Sequence, residues 1–304
     1  MKDPSFDDSP AAERITRRRA LRIAAAAGAA AAAGSAQARE PKRPHDGDAG
    51  LLFDATLCVG CRACQTACKE ANHLPPDRRA EDGGLYDAPL DLNGTTKNVI
   101  RLAVGPGGET EFVKRQCMHC ADPACASVCM AGALHKIERG IVAYDEKRCV
   151  GCRYCQIACP FNVPKFQWHT ALPVIVKCEL CRHREEGAAC AEVCPRGAVV
   201  KGTRGELLAE ARRRLAAAPE RYQRKVYGES DGGGTNVLYL TSSAVPFDAL
   251  GLPNLPQHPL PELSESVQHG IYKYGIAPIA LWTAVTVIQL RNRKEDHGAR
   301  REEE

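Results

Sequence analysis

The sequence predicts an α+β protein that is rich in loops, is organised around cysteines rather than a large apolar core, and ends in a transmembrane helix. Three observations support this prediction. Aromatic residues make up only 5% of the 304 residues, whereas cysteine occurs sixteen times. All sixteen cysteines fall into four groups of four, with none left over. An apolar run near the C-terminus is long enough to cross a bilayer.

The first 38 residues contain the three parts of a twin-arginine signal peptide. Residues 16–22 carry the twin-arginine pattern, an Ala-rich apolar run covers 23–33, and Ala-Gln-Ala at 36–38 supplies a cleavage site. An ordinary Ala-rich helix on a basic arm is the alternative, and Ala20 stands where such signals normally have Phe. Because this route exports proteins that have already folded and taken up cofactors, it favours metal clusters over disulfides for the cysteines.

The third cysteine group has the spacing that binds a [4Fe–4S] cluster in bacterial ferredoxins. Its cysteines read C-x-x-C-x-x-C-x-x-x-C and are followed by Pro160. In this run the fourth Cys ligates the other cluster of a two-cluster unit, so a companion group is expected elsewhere. The four groups are, in chain order, Cys58, Cys61, Cys64 and Cys68; Cys117, Cys120, Cys125 and Cys129; Cys149, Cys152, Cys155 and Cys159; and Cys178, Cys181, Cys190 and Cys194.

Loop length predicts which groups share clusters. Groups two and three are only 20 residues apart between Cys129 and Cys149, about the connection that a compact two-cluster unit needs. Groups one and four then form the other unit, although residues 58–68 match 149–159 at all but two positions. With exchanged fourth ligands, the predicted sets are Cys58, Cys61, Cys64 and Cys194 (set a); Cys178, Cys181, Cys190 and Cys68 (set b); Cys117, Cys120, Cys125 and Cys159 (set c); and Cys149, Cys152, Cys155 and Cys129 (set d).

These assignments predict two ferredoxin-like, two-cluster lobes followed by an extension and an anchor. Two short strands are expected at 99–104 and 111–114, on either side of a Gly-Pro-Gly-Gly loop. A capping box at Thr203 and Glu206 opens a helix, and a short strand is expected at 237–240. Lys/Arg residues after the apolar run place the C-terminus in the cytoplasm, with a buried C-terminal helix as the alternative. The predicted divisions are the signal peptide (1–38), the four-cluster domain (51–200) with lobe A (58–68 and 178–194) and lobe B (117–129 and 149–159), a helix–strand extension (201–245), a Pro-rich linker (246–270), a transmembrane helix (271–290) and a cytoplasmic tail (291–304).

Two histidines, His119 and His183, lie inside cysteine groups. Hydrogen bonding from such a side chain can tune the potential of a cluster. Neither has a carboxylate partner evident in the sequence, so a packing or solvent-facing role is expected for both.

The motifs resemble those of the iron–sulfur electron-transfer subunit of hydrogenase-2-type periplasmic [NiFe] hydrogenases. This subunit belongs to the wider class of four-cluster ferredoxin-type subunits of formate dehydrogenases and dimethyl sulfoxide reductases. The resemblance implies hydrogenase small and large subunits as electron source and an integral membrane, quinone-reactive subunit as partner. Met130 departs from it, since a Pro often follows that cysteine. The matching stretches are Cys-Val-Gly-Cys at 58–61, Gln-Cys-Met-His-Cys at 116–120, Gly-Cys-Arg-Tyr-Cys at 151–155, Asn-Val-Pro-Lys at 162–165, Lys-Cys-Glu-Leu-Cys at 177–181, Gly-Thr-Arg-Gly-Glu at 202–206 and Gly-Gly-Gly-Thr at 232–235.

Sixteen ligands without a recognisable nucleophile, acid–base pair or substrate motif predict an electron relay through four [4Fe–4S] clusters, not an enzyme in its own right. The expected location is the periplasmic face of the inner membrane, with a C-terminal anchor and a cytoplasmic tail. A net charge of +4 gives no reason to expect nucleic acid as a partner. The alternatives are the equivalent subunit of a membrane-bound formate dehydrogenase or other molybdopterin oxidoreductase, and a zinc-binding interaction module.

Overall fold

The computed structural model describes residues 40–76, 89–168, 170, 173–261, 282–287 and 289. The chain divides into two compact units, and the unit Arg39–Glu265 contains every cysteine. Its helices are α1 (Ala63–Ala71), α2 (Ala124–Ser127), α3 (Tyr154–Ala158), α4 (Ala189–Glu192) and α5 (Arg204–Ala217). Its strands are β1 (Ala49–Asp54), β2 (Val99–Val104), β3 (Thr110–Arg115), β4 (Leu134–Lys136), β5 (Val142–Tyr144), β6 (Lys165–Phe166), β7 (Ile175–Val176), β8 (Val199–Thr203) and β9 (Val237–Leu240).

A three-stranded mixed sheet joins the two ends of the cysteine-containing unit. Strand β1 lies in the middle, antiparallel to β8 and parallel to β9. Leu51, Leu52 and Phe53 of β1 are fully buried. Leu52 packs in the core beneath α5, whereas Leu51 and Phe53 face a core that contains cysteines of groups one, two and four. The strand reads as a continuous apolar run because both of its faces are covered.

The remaining six strands form three antiparallel hairpins, β2–β3, β4–β5 and β6–β7. The first matches the prediction of two short strands around the Gly-Pro-Gly-Gly loop, with Val99 opposite Arg115 and Val104 opposite Thr110. These hairpins carry the chain from one cysteine group to the next. Because they are short, the loops that bear the cysteines lie close to one another.

Helix α5 confirms the predicted capping box. The Thr203 hydroxyl accepts a hydrogen bond from the backbone N–H of Glu206, and the Glu206 carboxylate accepts one from the backbone N–H of Thr203 at 2.8 Å. Leu207, Leu208 and Ala211 share one face and are buried against the central sheet. The extension therefore packs directly on the strand that leads into the first cysteine group.

The short helices that follow the cysteine loops pack in pairs. Helix α1 from group one contacts α4 from group four, and α2 from group two contacts α3 from group three. This packing places the cysteine groups in the same combinations as the two predicted lobes.

The predicted fold class needs correction. The described residues form a mixed α/β arrangement of small sheets, because β9 pairs parallel with β1 and brings the extension into the central sheet. In that part of the chain, moreover, no helix is long and apolar enough to cross a membrane. Within 271–290 the structure describes a helical stretch of six residues, 282–287, and residue 289. The rest of that segment, the signal peptide and the tail lie outside the described residues.

Candidate metal centres

Set a surrounds one small cavity. Cys58, Cys61, Cys64 and Cys194 all line it, together with apolar neighbours such as Phe53, Ile100 and Val199. The first three thiols come from the loop before α1 and the start of that helix. The fourth follows α4, which packs on α1 and so brings Cys194 to the same cavity. Burial raises the pKa of the Cys64 thiol to about 12, and the neighbouring Cys190, Cys58 and Cys194 thiolates add to this rise.

Set b surrounds a second cavity. Cys68, Cys178, Cys181 and Cys190 line it together, and all four are buried. Three amide side chains, Asn72, Asn98 and Gln116, and two charged ones, Lys97 and Glu179, also line this cavity. The Asn72 amide donates to Cys68 Sγ at 3.7 Å. Both cavities thus contain the cysteines that the exchanged-ligand prediction assigned to them, including the fourth ligand from the distant group.

In sets c and d, the thiols of one set raise one another's pKa, which indicates that they lie together. Burial raises the pKa of Cys125, and the thiolates that add most to the rise are Cys159 and Cys117 of set c. In set d, burial raises the pKa of Cys155 to about 12. The other three thiolates of the set raise it further, and these are Cys129, Cys152 and Cys149.

Thiols of successive sets lie close enough to raise one another's pKa. Cys190 of set b raises the pKa of Cys64 in set a. Cys117 of set c raises the pKa of Cys178 in set b, and Cys155 of set d raises the pKa of Cys125 in set c. The order is therefore a, b, c, d. Exposed thiols are found only at its two ends, on Cys61 of set a and Cys152 of set d.

The sequence repeat is also a repeat of backbone conformation. Gly60 and Gly151 occupy the same place in the two Cys-Val-Gly-Cys loops, with φ of 72° and 71°. Arg62 and Arg153, two residues later, adopt φ of 60° and 63° and precede α1 and α3. These left-handed residues wind the loop tightly, so that backbone N–H groups turn towards sulfur. One consequence is that the Gly60 N–H bonds to Cys58 and opposes the rise in its pKa that burial causes.

Buried lysines lie among the thiols, and the sequence reasoning missed them. Lys114 is fully buried and Lys177 is 2% exposed. Lys177 Nζ donates to the carbonyls of Val142 and Cys178. The positions of these lysines could have indicated their burial. Lys114 is the last residue but one of β3, and Lys177 directly follows β7, and both strands lead into a cysteine group. Two-residue periodicity places one face of such a strand inside the protein.

The two histidines have different environments. His119 is fully buried, and its Nδ1 accepts a hydrogen bond from the Val142 N–H at 3.1 Å. Burial, together with nearby Lys177 and Lys136, lowers the pKa of His119 well below its usual value. The ring is therefore neutral with its proton on Nε2, an atom that has no hydrogen-bond partner among the described residues. His183 is exposed, and its Nε2 lies 2.7 Å from the Ala71 carbonyl.

The extension covers the second cysteine group. Gly234 accepts from the Ala121 N–H at 2.9 Å, and the Val237 N–H donates to the Met118 carbonyl at 3.2 Å. Thr235 forms an isolated bridge with Cys120. The Gly-rich stretch before β9 thus shields a cysteine loop from water.

The donor sets fit [4Fe–4S] clusters. Four thiols surround each of the two cavities, and backbone N–H groups donate to sulfur at 3.4 Å, from Leu180 to Cys178 and from Leu134 to Cys129. Within the described part of the chain, no three His, Cys, Asp or Glu side chains are grouped as the ligands of a single metal ion. The thiols are instead spread around a space, as a cluster requires when each thiolate binds its own iron.

Comparisons with known proteins agree with this chemistry. A model described as a 4Fe-4S dicluster domain matches residues 109–204. The "Hydrogenase-2 operon protein HybA" of Escherichia coli O157:H7 is 39% identical over 297 residues, which cover 86% of this chain and 89% of the relative. The "Formate dehydrogenase, nitrate-inducible, iron-sulfur subunit" of Escherichia coli (strain K12) is 36% identical, covering 76% of this chain and 80% of the relative. The "Formate dehydrogenase iron-sulfur subunit" of Haemophilus influenzae is 34% identical, covering 79% and 78%.

Proposed function

The chain belongs to the family of iron–sulfur electron-transfer subunits that includes HybA and the formate dehydrogenase iron–sulfur subunits, and we propose that it relays electrons between a periplasmic [NiFe] hydrogenase and a quinone-reactive membrane subunit. In this proposal four [4Fe–4S] clusters occupy sets a to d. The observation that supports it most directly is the pair of cavities, each lined by all four thiols of one set. The chain itself carries out no reaction on a substrate.

When bound, the clusters supply one-electron redox centres. The chain's own residues hold these centres and determine their surroundings. All four cysteines of set b are buried, which keeps most water away and makes nearby charges and dipoles act strongly. The exposed thiols of Cys61 and Cys152 leave the two ends of the line open to partners. Electrons would enter at one end and leave at the other.

The hydrogenase assignment is supported by the extent of the match. The HybA relative is covered over 89% of its length, against 80% for the nitrate-inducible formate dehydrogenase subunit. The twin-arginine pattern at 16–22 supports export of this chain under its own signal. We therefore place the cluster domain on the periplasmic side of the inner membrane, in a complex with hydrogenase small and large subunits.

Metal analysis of the full-length protein, purified without air, tests the cofactor count. The proposal expects about sixteen iron and sixteen sulfide per chain, four of each for every cluster. About eight of each would mean that only two sets are used. A colourless protein with about one to four zinc ions would replace the relay with the zinc-binding alternative.

Co-purification from the native membrane tests the partner. A tagged chain should retain a [NiFe] hydrogenase pair and support hydrogen-dependent reduction of quinone. A molybdopterin subunit in place of the hydrogenase, with formate-dependent reduction, would establish the formate dehydrogenase alternative. The formate dehydrogenase alternative is supported by the 36% identity to the formate dehydrogenase subunit.

A further inference from the structure

A fully buried lysine lies between two of the proposed clusters. Lys114 is on β3, opposite Ile100 in the hairpin, and its side chain has no exposed surface. Ile100 lines the cavity of set a, whereas Gln116, which accepts a hydrogen bond from Lys114 Nζ, lines the cavity of set b. The Lys114 charge also opposes the rise in pKa that burial causes at one thiol of each set, Cys64 and Cys178. Lys114 is thus the cation at the junction of sets a and b.

The ammonium group keeps its charge in this position. Its Nζ donates to the side-chain oxygen of Gln116, and metal-bound thiolates of sets a and b, which are anionic, would lie on either side of it. A buried ammonium needs such partners, because removing it from water is otherwise strongly unfavourable. The lysine therefore supplies a positive charge beside both proposed clusters.

The position of Gln116 extends the effect of this charge into the set b cavity. Lys114 Nζ donates a hydrogen bond to Gln116 Oε1. Since an ammonium group is only a donor, this bond fixes the amide orientation and turns Gln116 Nε2 away from the lysine. Gln116 lines the set b cavity, and its buried Nε2 has no hydrogen-bond partner among the described residues. An unsatisfied buried amide is costly unless something in the cavity accepts from it.

We infer that Lys114 and Gln116 form an electrostatic pair that raises the reduction potentials of clusters a and b relative to those the thiolates alone would set. This inference rests on the proposed function, because it requires clusters in sets a and b. A reduced cluster carries one more negative charge than an oxidised one. A fixed cation beside it stabilises the reduced state, and the Gln116 N–H adds a donor to cluster b. The pair thus holds electrons at one end of the relay.

Redox titration of the holoprotein, followed by electron paramagnetic resonance, tests the pair. The waves of clusters a and b are first identified in Cys61→Ser and Cys181→Ser proteins, where a changed ligand moves one wave each. In Lys114→Met, both waves should move to lower potential. At a fixed solution potential the reduced-to-oxidised ratio should fall about tenfold, a shift of about 59 mV for a one-electron couple. The waves of clusters c and d should stay in place.

Arg101→Met is the matched control. Arg101 lies on the partner strand of the same hairpin but is exposed, so its removal changes the net charge equally without changing the charge between the sets. All four waves should keep their wild-type potentials in this variant. If Arg101→Met moved clusters a and b as far as Lys114→Met does, the effect would be one of net charge and the inference would fail.

A second variant covers the case in which Lys114→Met does not fold. Gln116→Glu keeps the size of the side chain but places a carboxylate beside Lys114, which should lower the potential of cluster b more than that of cluster a. Wild-type iron content with unmoved a and b waves, in either variant, overturns the inference. Fewer than four waves in the wild-type protein would instead overturn the proposed function, so the two failures are distinguishable.

Discussion

Replacement of Asp54 by alanine should strongly destabilise the cluster domain, because it removes the acid from a buried ion pair. The Asp54 side chain is fully buried, and its Oδ2 accepts from Arg214 Nη1 at 2.9 Å and from the Tyr222 hydroxyl at 3.0 Å. Its Oδ1 accepts from the Thr56 hydroxyl at 2.6 Å. The network connects α5 to the end of β1, four residues before Cys58, the first of the predicted cluster ligands.

The expected size of the effect follows from burial. Removing one partner of a buried pair typically destabilises a protein by about 3–5 kcal/mol, since the other charge stays buried without compensation. Here that other charge is Arg214, whose side chain is 15% exposed. For a domain of this size, a loss of 1 kcal/mol lowers the melting temperature by about 2–4 °C, so a decrease of roughly 6–20 °C is expected.

Glu210→Ala is the matched control because Glu210 pairs with the same arginine from a more exposed position. Glu210 Oε1 lies 2.7 Å from Arg214 Nε, with 26% of the Glu210 side chain exposed. Exposed pairs contribute about 0–1 kcal/mol, so this variant should melt within about 4 °C of the wild type.

Thermal unfolding of the holoprotein, followed by circular dichroism at one fixed scan rate, compares the two variants. The visible absorbance, read in parallel, reports whether cluster loss accompanies unfolding. If both variants lost equal stability, or if Asp54→Ala melted within about 2 °C of the wild type, the reasoning from burial would be refuted.

Three further predictions concern the cysteine loops. Gly60→Ala should lose the iron of cluster a, because a Cβ there would lie 2.5 Å from the Phe112 ring. Gly151→Ala is the control, since a Cβ there would meet nothing within 4 Å. This variant should retain cluster d and lose only about 1–2 kcal/mol of stability to backbone strain. Equal iron contents in the two variants would contradict this. Lys69→Met should destabilise the protein by about 2–3 kcal/mol in a denaturation assay, because the buried Lys69 Nζ donates to three acceptors. Lys97→Met removes one 2.7 Å hydrogen bond to an amide side chain and should cost about 1 kcal/mol of stability. A larger loss in Lys97→Met than in Lys69→Met would contradict this reasoning. Titration with an oxidant should destroy clusters a and d, each with an exposed thiol, before the enclosed cluster b, as followed by their resonance signals; earlier loss of b would show that exposure does not govern access.

Local features of the fold were predictable wherever short-range chemistry decides the outcome. The capping box at Thr203 and the hairpin that begins at Val99 depend on neighbouring residues, and the structure confirms both. The parallel pairing of β1 with β9 joins residues nearly 190 positions apart, such as Leu51 and Val237. No local sequence pattern predicts which strand β1 pairs with. The predicted transmembrane helix was wrong for the described residues, none of whose helices is long and apolar enough to cross a membrane.

By itself, the sequence determined which cysteines are grouped at the spacing of a cluster-binding motif. That spacing is set by the covalent reach of a few residues, so the four groups could be predicted without a fold. Only the tertiary structure decided what surrounds those thiols. It brings Cys194 to the cavity of Cys58, buries all four cysteines of set b, and places Lys114 between two sets. Electrostatic effects depend on distance and burial in three dimensions, and neither quantity is encoded in the separation of residues along the chain.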